Sequence, residues 1–271
     1  MKYQINNKDF QIEVKGERAF GKDAVLFLQD DNLIAQTSWQ KEGFTLFPFL
    51  NPTDFDFLNA GLKQYLRELI RTFGVNIPST FNMEKYHEAV ADNQELHIAI
   101  INEAKQVDYK DFPVPILTII ERIEEEVKMP LTVLNPNTQE YHFSYRIVRP
   151  RKSDFNALHR DAWHPELKNC LNLYLPVAGS NELTSLCLIP GSHYWSENTV
   201  ERTLSGAIMN GSQYTVPGLT ATSNELKLIR PNPVKNQALL FTPYLIHGGA
   251  ANLSEDTTRI SVEIRFWRRV S

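Results

Sequence analysis

The 271-residue chain is 42% hydrophobic and 22% charged, ordinary proportions for a globular protein, and is long enough to bury a core without disulfide or metal staples. A net charge of −4 without a basic run excludes a general attraction to nucleic acid or to acidic membranes. No stretch approaches the roughly 20 apolar residues that cross a bilayer, and the start, Met1-Lys-Tyr-Gln-Ile-Asn-Asn-Lys, lacks an apolar signal core, so a cytoplasmic protein is expected.

Residues 1 to about 37 read as short strands and turns that form an N-terminal β extension. Tyr3, Ile5, Phe10, Ile12 and Val14 alternate with polar neighbours, as in half-buried strands. A further apolar run, Ala24 to Leu28, precedes a turn at Asp30-Asp31-Asn32. From 38 to 130 the pattern becomes one strand with supporting helices. Gln40 to Leu50 leads into a helix capped by Asn51-Pro52-Thr53-Asp54. Phe55, Leu58, Leu62, Leu66, Leu69 and Phe73 recur at helical spacing, and Gly74 stops the helix. Residues 83 to 107 are weakly helical; His87 and His97 there have no ligand-spaced partner and read as exposed or capping histidines. After Pro115, Ile116, Ile119, Ile120, Ile123 and Val127 line one helix face, and Glu121, Glu124, Glu125 and Glu126 form its solvated side.

After Pro130 the character changes to β. Leu131–Leu134, Tyr141–Val148, Cys170–Val177, Ser185–Ile189, Ala238–Phe241 and Arg259–Trp267 are short and rich in β-branched or aromatic residues. Cys170 and Cys187 lie in these apolar runs and read as buried free thiols. Helices first and strands after predict a mainly β protein with flanking helices (α+β), a barrel or jelly roll with helices on one face. No internal repeat or linker divides the chain, so 1–271 reads as a single domain.

The chemistry concentrates in Asn156 to Trp163. His159 and Asp161 stand two apart, so in an extended strand both side chains share a face. An imidazole and a carboxylate there supply two-thirds of the 2-His-1-carboxylate set that holds non-haem Fe(II). The third ligand must come from elsewhere, and His247 before Gly248-Gly249 is the candidate. In the strand before His159, Ser144, Arg146 and Val148 share a face, and Arg146 is open to two readings, a carboxylate partner or a surface charge. In the next strand Asn172 and Tyr174 oppose Leu171, Leu173 and Leu175.

The order of motifs resembles the phytanoyl-CoA dioxygenase-like family of Fe(II)/2-oxoglutarate oxygenases over roughly residues 38 to 268. His159-x-Asp161 is similar to the family's first two iron ligands, and Pro190-Gly191-Ser192-His193 to its hallmark turn. Asn236 to Phe241, His247, Asn252 and Arg259 follow its closing segment. The resemblance implies a double-stranded β-helix (cupin-like jelly roll) in residues 131–271, iron held by His159, Asp161 and His247, and 2-oxoglutarate and O2 as co-substrates. It implies that Arg259, twelve residues past His247, binds the distal carboxylate of 2-oxoglutarate through a bidentate fork; Arg265 is the competitor. His193 is then structural. Where the family often has a small hydroxyl residue two places past the distal His, this chain has Gly249, so Tyr174, Ser144 or Arg146 is expected to complete the 2-oxoglutarate site. Arg160, Trp163, His164 and Lys168, just past the carboxylate, are expected at the substrate mouth, with plain packing the other reading for Trp163.

The presence of Asp161 separates the chain from related halogenases, which lack this carboxylate. The expected reaction is hydroxylation of a C–H bond in a small metabolite, with succinate and CO2 released. The alternatives are a non-catalytic relative of the same fold, and a cupin-like metal protein that needs no 2-oxoglutarate and would leave Arg259 without a role. The substrate and the oligomeric state are left open by the sequence.

Overall fold

In the computed structural model, which describes the whole chain apart from Asp30, Gln106, Val107, His142, Asn210, Gly211, Val270, Ser271 and the side chain of Ser212, the first strands are β1 (Lys2–Ile5), β2 (Lys8–Gln11), β3 (Val14–Lys15) and β4 (Arg18–Phe20). Asn6 and Asn7 both take positive φ between β1 and β2, the two-residue turn whose twist matches a hairpin. The extension does add to sheet edges, as the alternation implied. The apolar run after it forms a 3-10 turn at Leu26–Leu28 instead of a strand; Asp30 of the following turn lies outside the described residues.

Strand β5 (Phe44–Pro48) enters helix α1 (Pro52–Thr72). The Asn51 side chain accepts the Asp54 N–H at 3.0 Å, and Gly74 ends the helix at φ +79°, so both boundary signals work as read. Phe55, Leu58, Leu62, Leu66 and Leu69 are buried. The weakly helical stretch is two helices, α2 (Tyr86–Val90) and α3 (Gln94–Glu103). Ala91, at φ +48°, breaks the run, and the Asn93 side chain caps the second piece. His97 corrects the expectation of exposure: it is buried, its Nδ1 3.0 Å from the Tyr86 hydroxyl and its Nε2 3.4 Å from the Asp154 carboxylate. Helix α4 (Ile116–Val127) buries Ile119, Ile120, Ile123 and Val127.

The remaining strands are β6 (Leu131–Thr132), β7 (Phe143–Val148), β8 (Cys170–Ala178), β9 (Val200–Thr203), β10 (Ala207–Met209), β11 (Ser212–Tyr214), β12 (Leu219–Thr222), β13 (Lys227–Leu228), β14 (Gln237–Phe241) and β15 (Arg259–Arg268). His142, in the predicted run before β7, lies outside the described residues. Six strands form an antiparallel sheet in the order β5-β14-β8-β15-β6, with β7 also on β15. Its parity sorts the side chains. Leu171, Leu173, Leu175, Leu240, Ile260, Val262, Ile264 and Phe266 pack with the helices in the main core, and Tyr145 ties the sheet to α1 by donating its hydroxyl to Leu62 O at 2.9 Å. The opposite face carries Asn172, Tyr174, Arg146, Arg259, Ser261, Glu263 and Arg265, which face one another in register.

Three small sheets, β13-β1-β2, β11-β10-β3 and β12-β9-β4, recruit every strand of the N-terminal extension. They share a second core of Tyr3, Ile5, Val14, Leu158, Cys187, Ile189, Leu219 and Ile246. The predicted barrel is not drawn as a closed sheet among the described residues; the strands make separate, mixed sheets, in which β1 with β13 is parallel. The predicted strand Ser185–Ile189 is reduced to an isolated bridge, Leu188 to Ile229 and to His247.

Between the layers sits the Pro190–Tyr194 turn. His193 donates Nε2–H to Gln40 O at 2.9 Å, its ring edge against Phe27 at 4.6 Å. Burial, with Arg160 assisting against the Gln40 carbonyl, pushes its imidazole down to about 4. The unfolded chain, titrating near 6.5, binds the extra proton between those values, so stability falls as pH drops from about 6.5 toward 4. The loss from this one group reaches about 3 kcal/mol at ~1.4 kcal/mol per unit. His193→Gln keeps a donor for Gln40 O, and urea titrations at pH 7 and pH 4.5 are expected to show a smaller acid loss in that variant than in the wild type.

Candidate active site

His159 and His247 face each other across a two-bond antiparallel bridge: His159 N donates to His247 O and His247 N to His159 O, each at 2.9 Å. Each imidazole then donates Nδ1–H to the carbonyl two residues back, His159 to Ala157 at 2.8 Å and His247 to Leu245 at 3.0 Å. A carbonyl only accepts, so the proton is fixed on Nδ1 and both Nε2 lone pairs are bare, the tautomer a metal needs. Gly248 makes the bridge possible. At φ +103°, a Cβ there would stand 2.4 Å from Ala157 O.

The backbone stays extended through Arg160 and turns at Asp161 into a 3-10 turn, Asp161–Trp163. Asp161 Oδ1 lies 3.3 Å from His159 Nε2 and 3.8 Å from His247 Nε2. Its other oxygen accepts from Asn172 Nδ2 and from Arg265 Nη2, both at 2.9 Å. One oxygen is thus tied back, and one faces the imidazoles. Burial opposes the charge on Asp161, but Arg265 and the two histidines hold its carboxyl well below the usual range. Burial, with His159 close by, pushes the His247 imidazole down to about 4, keeping it a neutral donor near pH 7. The three donor atoms lie within 4.8 Å of one another, a donor set of the right chemistry for a divalent iron. A second cluster, His87, Glu88 and Asp256, is largely exposed, and its Asp256 is already paired with Lys85 and His87.

Behind the triad a narrow cavity of about 40 Å³ runs from His159, Asp161 and His247 past Leu186 to Arg259. Arg259 is 4% exposed, and its Nε and Nη1 have no hydrogen-bond partner, although its guanidinium lies 5.8 Å from the Tyr174 ring centre. A buried cation with unused donors asks for an anion. In front, a wider cavity of about 200 Å³ is lined by His159, Asp161, Arg265, Arg146, Lys105, Asn156 and the segment Gln213–Val216.

A family model, Phytanoyl-CoA dioxygenase (PhyH), matches residues 43–261. The chain belongs to this family. It is therefore an oxygenase of the non-haem iron, 2-oxoglutarate-dependent kind, working with Fe(II), 2-oxoglutarate and O2. A search of curated proteins finds no match. Among solved structures, the non-heme monooxygenase ThoJ in its apo form is 14% identical, with a TM-score of 0.50 over 87% of this chain and 77% of that one; it supports the fold. EctD from S. alaskensis, solved with 2-oxoglutarate and 5-hydroxyectoine, is 11% identical over 98% and 86% of the two chains, at a TM-score of 0.46. The carbocyclase SnoK from nogalamycin biosynthesis is 15% identical over 91% and 83%, at 0.46.

The residues expected from the sequence fall into two groups in this PhyH-family chain. His159, Asp161, His247 and Arg259 come together around the paired cavities. Arg146 lines both of them, but its Nε donates to Glu263 at 3.0 Å. The Tyr174 hydroxyl is hydrogen-bonded to Ser180 at 2.9 Å, which leaves only the ring toward Arg259. Ser144 is on the same face but lines neither cavity.

The proposed substrate mouth of Arg160, Trp163, His164 and Lys168 is corrected: none of the four lines a cavity containing the triad. Strand parity is the reason. Arg160 lies between the two ligands and points the other way, fully buried, where it binds Glu197 and donates to Ser192 O at 2.6 Å. Trp163 donates Nε1–H to Glu197 at 2.9 Å, and Trp163, Glu197 and Lys168 line a separate cleft that contains none of the triad. Gly249, the departure from the family pattern, suits its backbone: φ is +60°, and a Cβ there would stand 3.0 Å from Leu158 and 3.3 Å from Tyr3.

What sequence reading missed is the role of Asn172 and Arg265 as partners of Asp161. Parity puts both on the cavity face, because Asn172 shares a face with Tyr174 and Arg265 lies an even number of residues past Arg259, but it does not pair them with Asp161. Arg265 does not compete with Arg259; it holds the triad's carboxylate. Partners in this outer position commonly set ten- to hundredfold in metal affinity. Arg265→Met is expected to weaken Mn(II) binding by about that factor, measured by calorimetry. Arg259→Met is expected to leave Mn(II) binding intact and to weaken 2-oxoglutarate binding to the metal-loaded protein by roughly tenfold or more.

Proposed function

We propose that this enzyme hydroxylates an unactivated C–H bond of a small molecule, with His159, Asp161 and His247 as the iron ligands and Arg259 as the anchor of 2-oxoglutarate. The observation that carries the reading is the buried, partnerless edge of Arg259 behind three converging donor atoms. A 2-oxoglutarate lying along the narrow cavity would reach the metal with its keto-acid end and Arg259 with its distal carboxylate, two charge-assisted hydrogen bonds in fork geometry. A metal-binding scaffold without this co-substrate would leave that guanidinium buried without a counter-charge.

Iron, when bound, supplies the activation of O2 and the oxidative decarboxylation that yields succinate and CO2. The chain's own residues do the rest. The carbonyls of Ala157 and Leu245 orient the imidazoles, and Arg265 with Asn172 turns one oxygen of Asp161 away, so that the carboxylate presents a single oxygen. Phe241, 5.0 Å from the His247 ring, and Leu186, which lines the narrow cavity, place apolar surface beside the triad. Asp161 occupies the place a halide would need, which favours hydroxylation. We infer further that the six-stranded sheet and the smaller sheets opposite it are the two halves of a double-stranded β-helix. The whole chain is then one domain, since the N-terminal strands complete those smaller sheets, and we assign it to the cytoplasm.

Anaerobic addition of Fe(II) and then 2-oxoglutarate is expected to produce the weak visible charge-transfer band of the chelate, and admission of O2 to yield succinate. His159→Ala is expected to lose both. Full band intensity in that variant, or no band in the wild type, would contradict the assignment.

A further inference from the structure

The wide cavity in front of the triad carries more positive charge than the proposed chemistry uses. Four cations border the paired cavities, Lys105, Arg146, Arg259 and Arg265, against three carboxylates, Asp154, Asp161 and Glu263, of which Asp154 is already paired with Arg149 and His97. Arg265 is matched by Asp161 and Arg146 by Glu263. A divalent iron and a dianionic 2-oxoglutarate cancel each other, and the co-substrate takes Arg259. Two positive charges are left, and Lys105 is the one without a carboxylate: among the described residues its ammonium has Asn102 Oδ1, at 3.4 Å, and no acidic partner.

Its place is not accidental. Lys105 follows the C-terminal end of α3, where Ala104 N still bonds to Ile100 O at 2.9 Å, and it lines the wide cavity together with Gln213, Thr215 and Val216. Desolvation, and then the neighbouring Arg146 guanidinium, lower the ammonium's affinity for its proton, so two cations face the same space. Arg146 meets Glu263 through Nε, and its guanidinium makes no other hydrogen bond among the described residues. A cationic pair in a part-enclosed cleft binds anions more tightly than the same charges on an open surface.

We propose that the mouth of this cavity is an anion subsite, in which Lys105 and Arg146 bind a carboxylate or phosphate carried by the substrate. The cavity of about 200 Å³ holds a short charged end and the carbons next to it, so the group that reacts lies near the charged end. Neutral hydrocarbon-like molecules and cations are disfavoured. This rests on the reading of the triad as an iron site and of Arg259 as the 2-oxoglutarate anchor.

The test uses Mn(II)-loaded protein saturated with 2-oxoglutarate, titrated calorimetrically with four probes of one chain length: pentanoate, pentyl phosphate, pentanamide and pentylamine. One or both anions are expected to bind at least about tenfold tighter than the amide and the amine, and the tighter of the two names the group. Lys105→Met and Arg146→Gln are each expected to lose about tenfold for that anion and little for the amide. Equal binding of all four probes, no binding of either anion, or an anion preference unchanged in both variants would overturn the proposal. Failure of the wild type to take up 2-oxoglutarate with Mn(II) in the first step would instead remove the reading beneath it.

Discussion

Two backbone hydrogen bonds between His159 and His247, each 2.9 Å long, are the constraint on which the site depends. They bring together residues that are remote in sequence and set both imidazoles on one side of a two-residue bridge. Neither histidine lies in a long strand, so the bridge is held from behind. Ile246 N donates to the Ser192 hydroxyl at 2.8 Å, and Ser192 Oγ donates to Ile189 O at 2.7 Å. Arg160, between the two ligands of the first segment, donates to the Ser192 carbonyl. The Pro-Gly-Ser-His turn is therefore a knot that fixes the backs of both ligand segments. That accounts for its presence without giving His193 a place at the metal.

Charge is concentrated along the paired cavities. Arg259 and Glu263 line the narrow cavity, Lys105 the wide one, and Asp161, Arg146 and Arg265 border both. Burial alone would favour neutral Asp161 and Glu263, yet both carboxyls are held below their ordinary range because guanidinium groups face them. Removing one partner of such a pair costs more than the pair contributes, since the other charge is left buried. The large sheet supplies Arg146, Arg259, Glu263 and Arg265 by simple alternation: one face is apolar and packs with the helices in the main core, while the other carries these charges toward the cavities.

Much of this was legible in the chain. Helical periodicity with its caps located α1 and α4 nearly to the residue, because cap and period are local signals. The triad was legible because His159 and Asp161 stand two apart in an extended segment and the order of motifs fitted the family. What failed was decided at a distance. His97 is buried because Asp154 and Tyr86 meet it from other segments, and nothing near it in sequence says so. Arg160 and Trp163 were placed at the mouth by nearness in sequence, whereas the parity of the strand sends Arg160 to Glu197. The same parity, applied along β8 and β15, puts Asn172 with Tyr174 and Arg265 with Arg259 on the cavity face, a signal carried by residue spacing alone.

The central claim is that Nε2 of His159, Nε2 of His247 and one oxygen of Asp161 meet around one divalent cation, with Arg259 anchoring a dicarboxylate behind it. Crystals grown with Mn(II) and 2-oxoglutarate, measured at the manganese absorption edge, test it most directly. The account predicts one strong anomalous peak in contact with those three atoms, with the co-substrate's far carboxylate on the Arg259 guanidinium. A principal peak at His87 and Asp256 or elsewhere, or a dicarboxylate bound away from Arg259, would contradict it.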